Sequence, residues 1–128
     1  MKAYLIDPAN RTISPVEMTA SDDGSNLADM YRLLDCSCVD VVRDAIPGHD
    51  IWVDDEGLLY DEPPHGLFYS KRTGQTLAGR GLILSVDAQG DCQSSTCSVE
   101  EIGRYIWPVA HIDHEAQEIR LGRFDITA

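Results

Sequence analysis

The stretch between Arg43 and Lys71 contains no lysine and no arginine. It carries seven acidic residues, which are Asp44, Asp50, Asp54, Asp55, Glu56, Asp61 and Glu62. Apolar residues flank the densest part of the stretch, residues 50–60, so the pattern indicates a folded surface rather than a disordered segment. A folded surface of one sign suits a basic partner or a cation.

Several further absences narrow the possible functions. The chain has no apolar run long enough for a membrane span, and Asp7 ends the short apolar run at the start before it resembles a signal peptide. The Gly-x-Ser-x-Gly motif, the Walker lysine-serine pair and the dinucleotide-binding fingerprint are also missing. We therefore expect a cytoplasmic protein without membrane contact, and the sequence identifies no catalytic residue, metal ligand or cofactor.

The net charge of −12 is concentrated in the N-terminal half. Residues 1–65 hold fourteen acids against four bases, whereas residues 66–128 hold eight acids against six bases. A field of this sign repels the phosphates of DNA and RNA, which disfavours direct binding to nucleic acid. The same field attracts basic protein surfaces.

The residue pattern predicts a single α+β domain, with a mostly antiparallel sheet and two helices packed on one face. Apolar residues at helical spacing predict a first helix capped by Asn26. Ser98 and Glu101 have the spacing of a capping box and predict a second helix. The apolar run at residues 82–86 predicts a buried strand between the two helices.

Three regions are less regular. Residues 21–25 predict a polar loop. Residues 12–18 predict an edge strand, since Pro15 cannot donate a ladder hydrogen bond, and such an edge could pair across a two-fold axis in a homodimer. Residues 110–128 predict a C-terminal extension, either strand or short helix, packed on a domain of residues 1–109.

Residues 50–60 predict a hairpin whose turn is residues 54–57, with Gly57 supplying a positive φ. The turn could be a solvated tip whose aspartates and glycine serve geometry, a contact surface for a basic protein, or a site for a hard cation. A catalytic role is disfavoured because adjacent exposed carboxylates share one environment. The candidate protein-contact residues are Asp50, Asp54, Asp55, Glu56, Asp61 and Glu62.

A basic, glycine-containing stretch follows the acidic one and offers a second kind of site. Its guanidinium and ammonium groups could meet a phosphate while an aromatic ring meets a base. The simpler alternative is a surface loop whose positive charges compensate the negative charges of the acidic turn. The candidate ligand-binding residues are Lys71, Arg72, Arg80, Tyr69 and Trp52.

The metal-binding patterns are atypical. Four cysteines can hold zinc, but the spacings here are C-x-C and C-x4-C, and small core residues are the simpler interpretation. The cysteines are Cys36, Cys38, Cys92 and Cys97. His111 and His114 would share one face of a helix, but the surrounding residues give no clear helical signal.

Three segments together resemble a known family: residues 30–42, residues 50–58 with Trp-Val-Asp-Asp-Glu-Gly, and residues 77–84 followed by the helix from Ser98. In order and spacing they are similar to a small domain of unknown function common in bacteriophages, prophages and mobile elements. The resemblance covers about residues 1–109 and implies a phage or mobile-element context in a bacterial host cell, but no reaction and no functional residue.

The sequence therefore predicts an acidic accessory protein that binds the basic surface of a host or defence protein, in the manner of a nucleic-acid charge mimic. Binding of a nucleotide or a nucleotide-derived signal is the alternative. A metal-dependent enzyme ranks last.

Overall fold

The computed structural model describes residues 1–19 and 24–128, and within them the chain forms two α-helices and eleven β-strands. The helices are α1 (Leu27–Leu34) and α2 (Val99–Tyr105). The strands are β1 (Lys2–Asp7), β2 (Thr12–Glu17), β3 (Val39–Ile46), β4 (His49–Asp54), β5 (Leu67–Ser70), β6 (Gln75–Ala78), β7 (Gly81–Val86), β8 (Cys92–Gln93), β9 (Ile106–Asp113), β10 (Glu118–Leu121) and β11 (Asp125–Ile126). The predicted α+β class is confirmed, while the loop predicted at 21–25 falls mostly outside the described residues.

The main sheet is built around β7. Its strand order is β11-β2-β1-β7-β4-β3, and β8 pairs with the far end of β7. Ile83 lies opposite both Tyr4 of β1 and Ile51 of β4. Because successive side chains of a strand enter opposite faces, the complete burial of residues 82–84 shows that both faces of the sheet are covered. The predicted buried strand is confirmed.

The two helices lie on opposite faces of this sheet. Met30 of α1 packs in one cluster with Leu82 and Leu84, whereas Ile102 of α2 packs in a second cluster with Ile83. The prediction that both helices share one face is therefore wrong. The physical reason is the alternation along β7, which presents apolar side chains on both faces and so requires a cover on each.

A second sheet, of strand order β10-β9-β5-β6, covers the same face as α2. Phe68 of β5 is fully buried in the cluster between the two sheets. Gly81 lies against this ring, since a Cβ added there would be 3.1 Å from Phe68 Cζ and 3.0 Å from Ile51 Cγ2. Glycine at this position allows the two sheets to approach closely.

The C-terminal part of the chain forms β9, β10 and β11, which contribute to both sheets. β9 pairs with β5 in the second sheet, and β11 pairs in parallel with β2 in the main sheet at Thr12 and Ile13. The predicted edge strand is thus partly covered. Pro15 lies in the part of β2 beyond this pairing, so its lack of an N–H costs the β11 pairing no hydrogen bond.

The helix ends follow the predicted chemistry at α2 and depart from it at α1. Glu101 N donates to Ser98 Oγ at 3.1 Å and Ser98 N donates to Glu101 Oε1 at 3.3 Å, which confirms the capping box. At α1 the Asn26 side chain makes no capping bond. Ser25 Oγ instead accepts from Leu27 N at 3.2 Å.

Candidate functional site

The acidic loop, which we define as residues 54–62, begins where β4 ends. β4 pairs with β3 on one side and with β7 on the other, so that Val53 lies opposite both Asp40 and Gly81. No edge of β4 is left for residues 58–60. The predicted hairpin is therefore wrong, and Gly57–Leu59 forms a 3-10 helix instead.

Gly57 has a different role from the one predicted. Its φ is not in the positive region, so the turn does not depend on left-handed backbone there. A Cβ at Gly57 would lie 2.7 Å from the carbonyl oxygen of Ala78. Glycine is needed because the loop packs directly on the backbone of β6.

Hydrogen bonds hold the first half of the acidic loop in place. Asp55 N donates to the Cys38 carbonyl at 3.1 Å, which ties the loop to the residue before β3. Glu56 N donates to Asp54 Oδ1 at 2.9 Å, and Leu59 N donates to the Glu56 carbonyl at 3.0 Å. The loop therefore presents its side chains from a fixed backbone.

The acidic loop exposes carboxylates and large apolar side chains together. The exposed acids are Asp55, Glu56, Asp61 and Glu62, and Asp54 is half-buried. The exposed apolar residues are Leu58 at 68%, Leu59 at 80% and Tyr60 at 50%. The sequence interpretation placed these three residues on a strand. Acids on both sides of an apolar triplet, followed by Pro63 and Pro64, were the signal for an exposed loop.

Asp50 does not share this exposure. It is 5% exposed, its Oδ2 accepts from Arg43 Nη1 at 2.9 Å, and its Oδ1 accepts from Asp44 N at 2.9 Å. These bonds hold the irregular part of β3 between Val42 and Ile46, where the register with β4 shifts. Asp50 is therefore a structural residue and not part of the contact surface.

The five ligand-binding candidates are not brought into one site. Tyr69 stacks on Trp107 with ring centroids 6.1 Å apart, and Lys71 Nζ lies 5.6 Å from the Trp107 ring, all on the second sheet. Arg72 instead reaches Asp44, with Nη2 2.7 Å from Oδ2 and Nε 2.9 Å from the carbonyl oxygen.

The other two candidates lie towards α1. Arg80 Nη1 donates to the Leu33 carbonyl at 3.3 Å, near the end of that helix. Trp52 packs in the cluster that contains Met30, under α1 and on the face of the main sheet opposite to the second sheet. A single phosphate or nucleotide could not contact all five residues.

The cysteines and histidines do not form a metal centre in the part of the chain that the structure describes, where no three His, Cys, Asp or Glu side chains are grouped for a metal ion. Cys36 and Cys92 pack on the face of α1, whereas Cys97 is buried on the opposite face. Burial, reinforced by nearby Asp54, raises the pKa of the Cys36 thiol to about 11, so this thiol stays protonated. His111 lies in β9 and His114 in the turn that follows, so they share no helical face.

The exposed Asp44–Arg72 pair should make stability depend on pH. Arg72 and the Gly48 N–H lower the pKa of Asp44 from its ordinary 3.8. The charged carboxylate therefore stabilises the fold above pH 3.8, and this contribution disappears as the pH falls through the lowered pKa. We expect Asp44→Asn to lower the free energy of unfolding by less than about 1 kcal/mol at neutral pH.

Urea unfolding at neutral pH and at a series of pH values below 3.8 would check this expectation, since the difference between wild type and variant should shrink as the pH falls. Asparagine tolerates the positive φ of 53° at this position, so backbone strain does not confound the comparison. A difference that stayed constant with pH would show that the pair contributes nothing through its charge.

The comparisons with known proteins identify the family of the chain. The model of a domain of unknown function, DUF3846, matches residues 1–106. The chain belongs to this family. The predicted membership in a domain family of unknown function is thereby confirmed, and the matched part of this DUF3846 protein includes the whole acidic loop.

One curated relative is the uncharacterized protein y4iR of Sinorhizobium fredii (strain NBRC 101917 / NGR234). It is 30% identical to this DUF3846 protein over 99 residues, which make up 77% of the chain and 58% of y4iR. The chain therefore spans little more than half the length of this relative. No solved structure matches the chain. The described helices are all too short or too polar to cross a lipid bilayer.

Proposed function

We propose that this protein acts by binding, non-covalently, a basic surface of another protein through the acidic loop. The observation that carries the proposal is the exposure of Leu58, Leu59 and Tyr60 between two groups of exposed acids. Large apolar side chains exposed side by side mark an interaction site on a soluble protein. The surrounding carboxylates favour a partner that is positively charged around an apolar centre.

The two kinds of side chain contribute differently to such an interface. Burial of the leucines and the tyrosine supplies affinity, because apolar and aromatic anchors dominate binding energy. The acids guide the approach of a basic partner and raise the association rate, an effect that salt weakens. The bonds that fix residues 54–59 reduce the entropy lost on binding.

A nucleotide-binding function has less support. Tyr69 and Lys71 lie on the second sheet, Arg72 is paired with Asp44, and Trp52 packs under α1. The net charge of −12 also opposes an anionic ligand. We propose instead that the partner is a host or defence protein whose basic surface ordinarily meets nucleic acid, and that the acidic loop imitates that charge.

The test is affinity capture from bacterial cells with a loop variant and a matched control. The loop variant replaces the acids of the turn: Asp54→Asn, Asp55→Asn and Glu56→Gln. Asparagine keeps the Oδ1 acceptor of residue 54 for the Glu56 N–H, so the loop conformation is preserved. The control removes the same charge from exposed positions elsewhere: Glu100→Gln, Glu115→Gln and Glu118→Gln.

Wild type and the control should capture a true partner in similar amounts, and the amount recovered should fall as NaCl is raised. The loop variant should recover about tenfold less of the partner, or still less. The same proteins captured in equal amounts by the loop variant and by wild type would contradict the proposal. Capture lost equally in both variants would show that only the overall charge matters.

A further inference from the structure

β3 is the outer strand of the main sheet on the side of the acidic loop. The hydrogen bond from Asp55 N to the Cys38 carbonyl makes these two residues a hydrogen-bonded pair in the antiparallel ladder. This pair shows which way the N–H and carbonyl groups of each residue in β3 point. Hydrogen-bonded and non-hydrogen-bonded pairs alternate. Val39 and Val41 therefore turn their N–H and carbonyl groups away from β4, towards an edge that no strand of the described residues covers; we call it the free edge.

A groove of about 500 Å³ runs beside this edge, between β3 and β6. Apolar side chains that are almost fully buried contribute to its lining: Val42, Val53 and Leu77. Three carboxylates also line the groove: Asp40, Asp54 and Asp55. The groove combines an apolar floor with an acidic rim, as an extended peptide with alternating side chains requires.

The charge of the groove selects the class of occupant. Arg43 also lines it, but its guanidinium donates to the buried Asp50 carboxylate at 2.9 Å and is compensated there. Within residues 1–19 and 24–128 no lysine or arginine forms an ion pair with the three carboxylates of the rim, so the groove as a whole is negative. Charge complementarity therefore favours a lysine- or arginine-rich segment.

Asp40 controls access to the free edge. Its Oδ1 accepts the outward N–H of Val41 at 2.8 Å, so a carboxylate occupies the position where an added strand would place a carbonyl. Charged groups at a sheet edge prevent indiscriminate pairing. A lysine or arginine on an incoming strand can attract this exposed carboxylate and free the N–H, whereas an uncharged strand cannot.

We infer that the free edge of β3 and the groove beside it receive an extended basic segment of the partner, which adds to the main sheet as a further strand. This inference rests on the proposed function, because Asp54 and Asp55 belong both to the acidic loop and to the groove. It specifies the binding mode: backbone bonds at Val39 and Val41, apolar contacts on the floor and lysine or arginine at the rim.

The test uses the whole ¹⁵N-labelled protein and a short synthetic peptide of alternating lysine and valine, followed by NMR. The peptide should shift the amide resonances of β3 and slow hydrogen exchange at Val39 and Val41 by about tenfold or more. A matched peptide with glutamate in place of lysine should not bind. Val41→Pro, which removes the outward N–H, should weaken binding by about tenfold, whereas Val41→Thr should not.

The inference is overturned if the lysine peptide does not bind at millimolar concentration, or if it binds without slowing exchange at Val39 and Val41. Amide hydrogen exchange at Val39 and Val41 of the wild-type protein tests strand addition even if Val41→Pro does not fold. A peptide that perturbs residues 55–62 alone overturns strand addition and leaves the proposed function standing. Equal capture of cellular partners by the loop variant and wild type removes the proposed function as well.

Discussion

Replacing Phe68 by alanine is expected to lower the free energy of unfolding by about 3–5 kcal/mol. The ring is 0% exposed and lies in the cluster that joins the second sheet to the main sheet. Its removal leaves a cavity above Gly81 that the backbones of two sheets cannot easily close. Denaturant unfolding followed by tryptophan fluorescence would measure the loss, and the melting temperature should fall by about 10–20 °C.

A double-mutant cycle gives this prediction its control. Gly81→Ala alone should be destabilising, because its Cβ would lie 3.0 Å from Ile51 Cγ2 and 3.1 Å from Phe68 Cζ. Phe68→Ala removes the contact with Phe68 Cζ and leaves those with Ile51 and Ile6, so the loss in the double variant should be smaller than the sum of the two single losses. A loss below about 1 kcal/mol for Phe68→Ala would mean that the sheets are not packed through this ring.

The double variant Leu58→Ser, Leu59→Ser is expected to weaken binding of a captured partner by about 30–100-fold, mainly through faster dissociation. The two leucines are 68% and 80% exposed, so they contribute little to the fold and are free to become the centre of an interface. Stability should change by less than about 0.5 kcal/mol. Surface plasmon resonance would separate this effect from that of the acids, which act mainly on association.

The chain offers a matched control for the leucine pair. Ile119 and Leu121 of β10 are 49% and 39% exposed, and their replacement by serine removes two aliphatic side chains outside the acidic loop. Binding should be unaffected by this control. Equal losses in both double variants would indicate a general effect of surface polarity, and no loss in either would exclude the leucines from the interface.

The sequence predicts best the features whose cause is local. The capping box of α2 needs only Ser98 and Glu101, and both act within one turn. The central strand β7 is recognisable because a strand buried on both faces is a continuous apolar run. The acidity and exposure of residues 55–56 and 61–62 likewise follow from composition and turn chemistry.

The features that were missed depend on distant neighbours. Residues 58–60 could have paired with β4 as a hairpin arm if β7 did not occupy that edge, and no residue in the loop reveals this competition. The burial of Asp50 depends on the register shift in β3, which places Arg43 within 2.9 Å of its carboxylate. The groove between β3 and β6 requires the packing of two sheets and could not be derived from either strand alone.

The pairing of β11 with β2 has a consequence for the order in which the molecule assembles. Asp125 and Ile126 lie beside Thr12 and Ile13, so among the strand pairings of the described residues this one has the greatest sequence separation. Contacts of high sequence separation form slowly because a long loop must first be closed. During synthesis the hairpin of β1 and β2 emerges before β11, and Thr12 and Ile13 cannot make this pairing until β11 has left the ribosome.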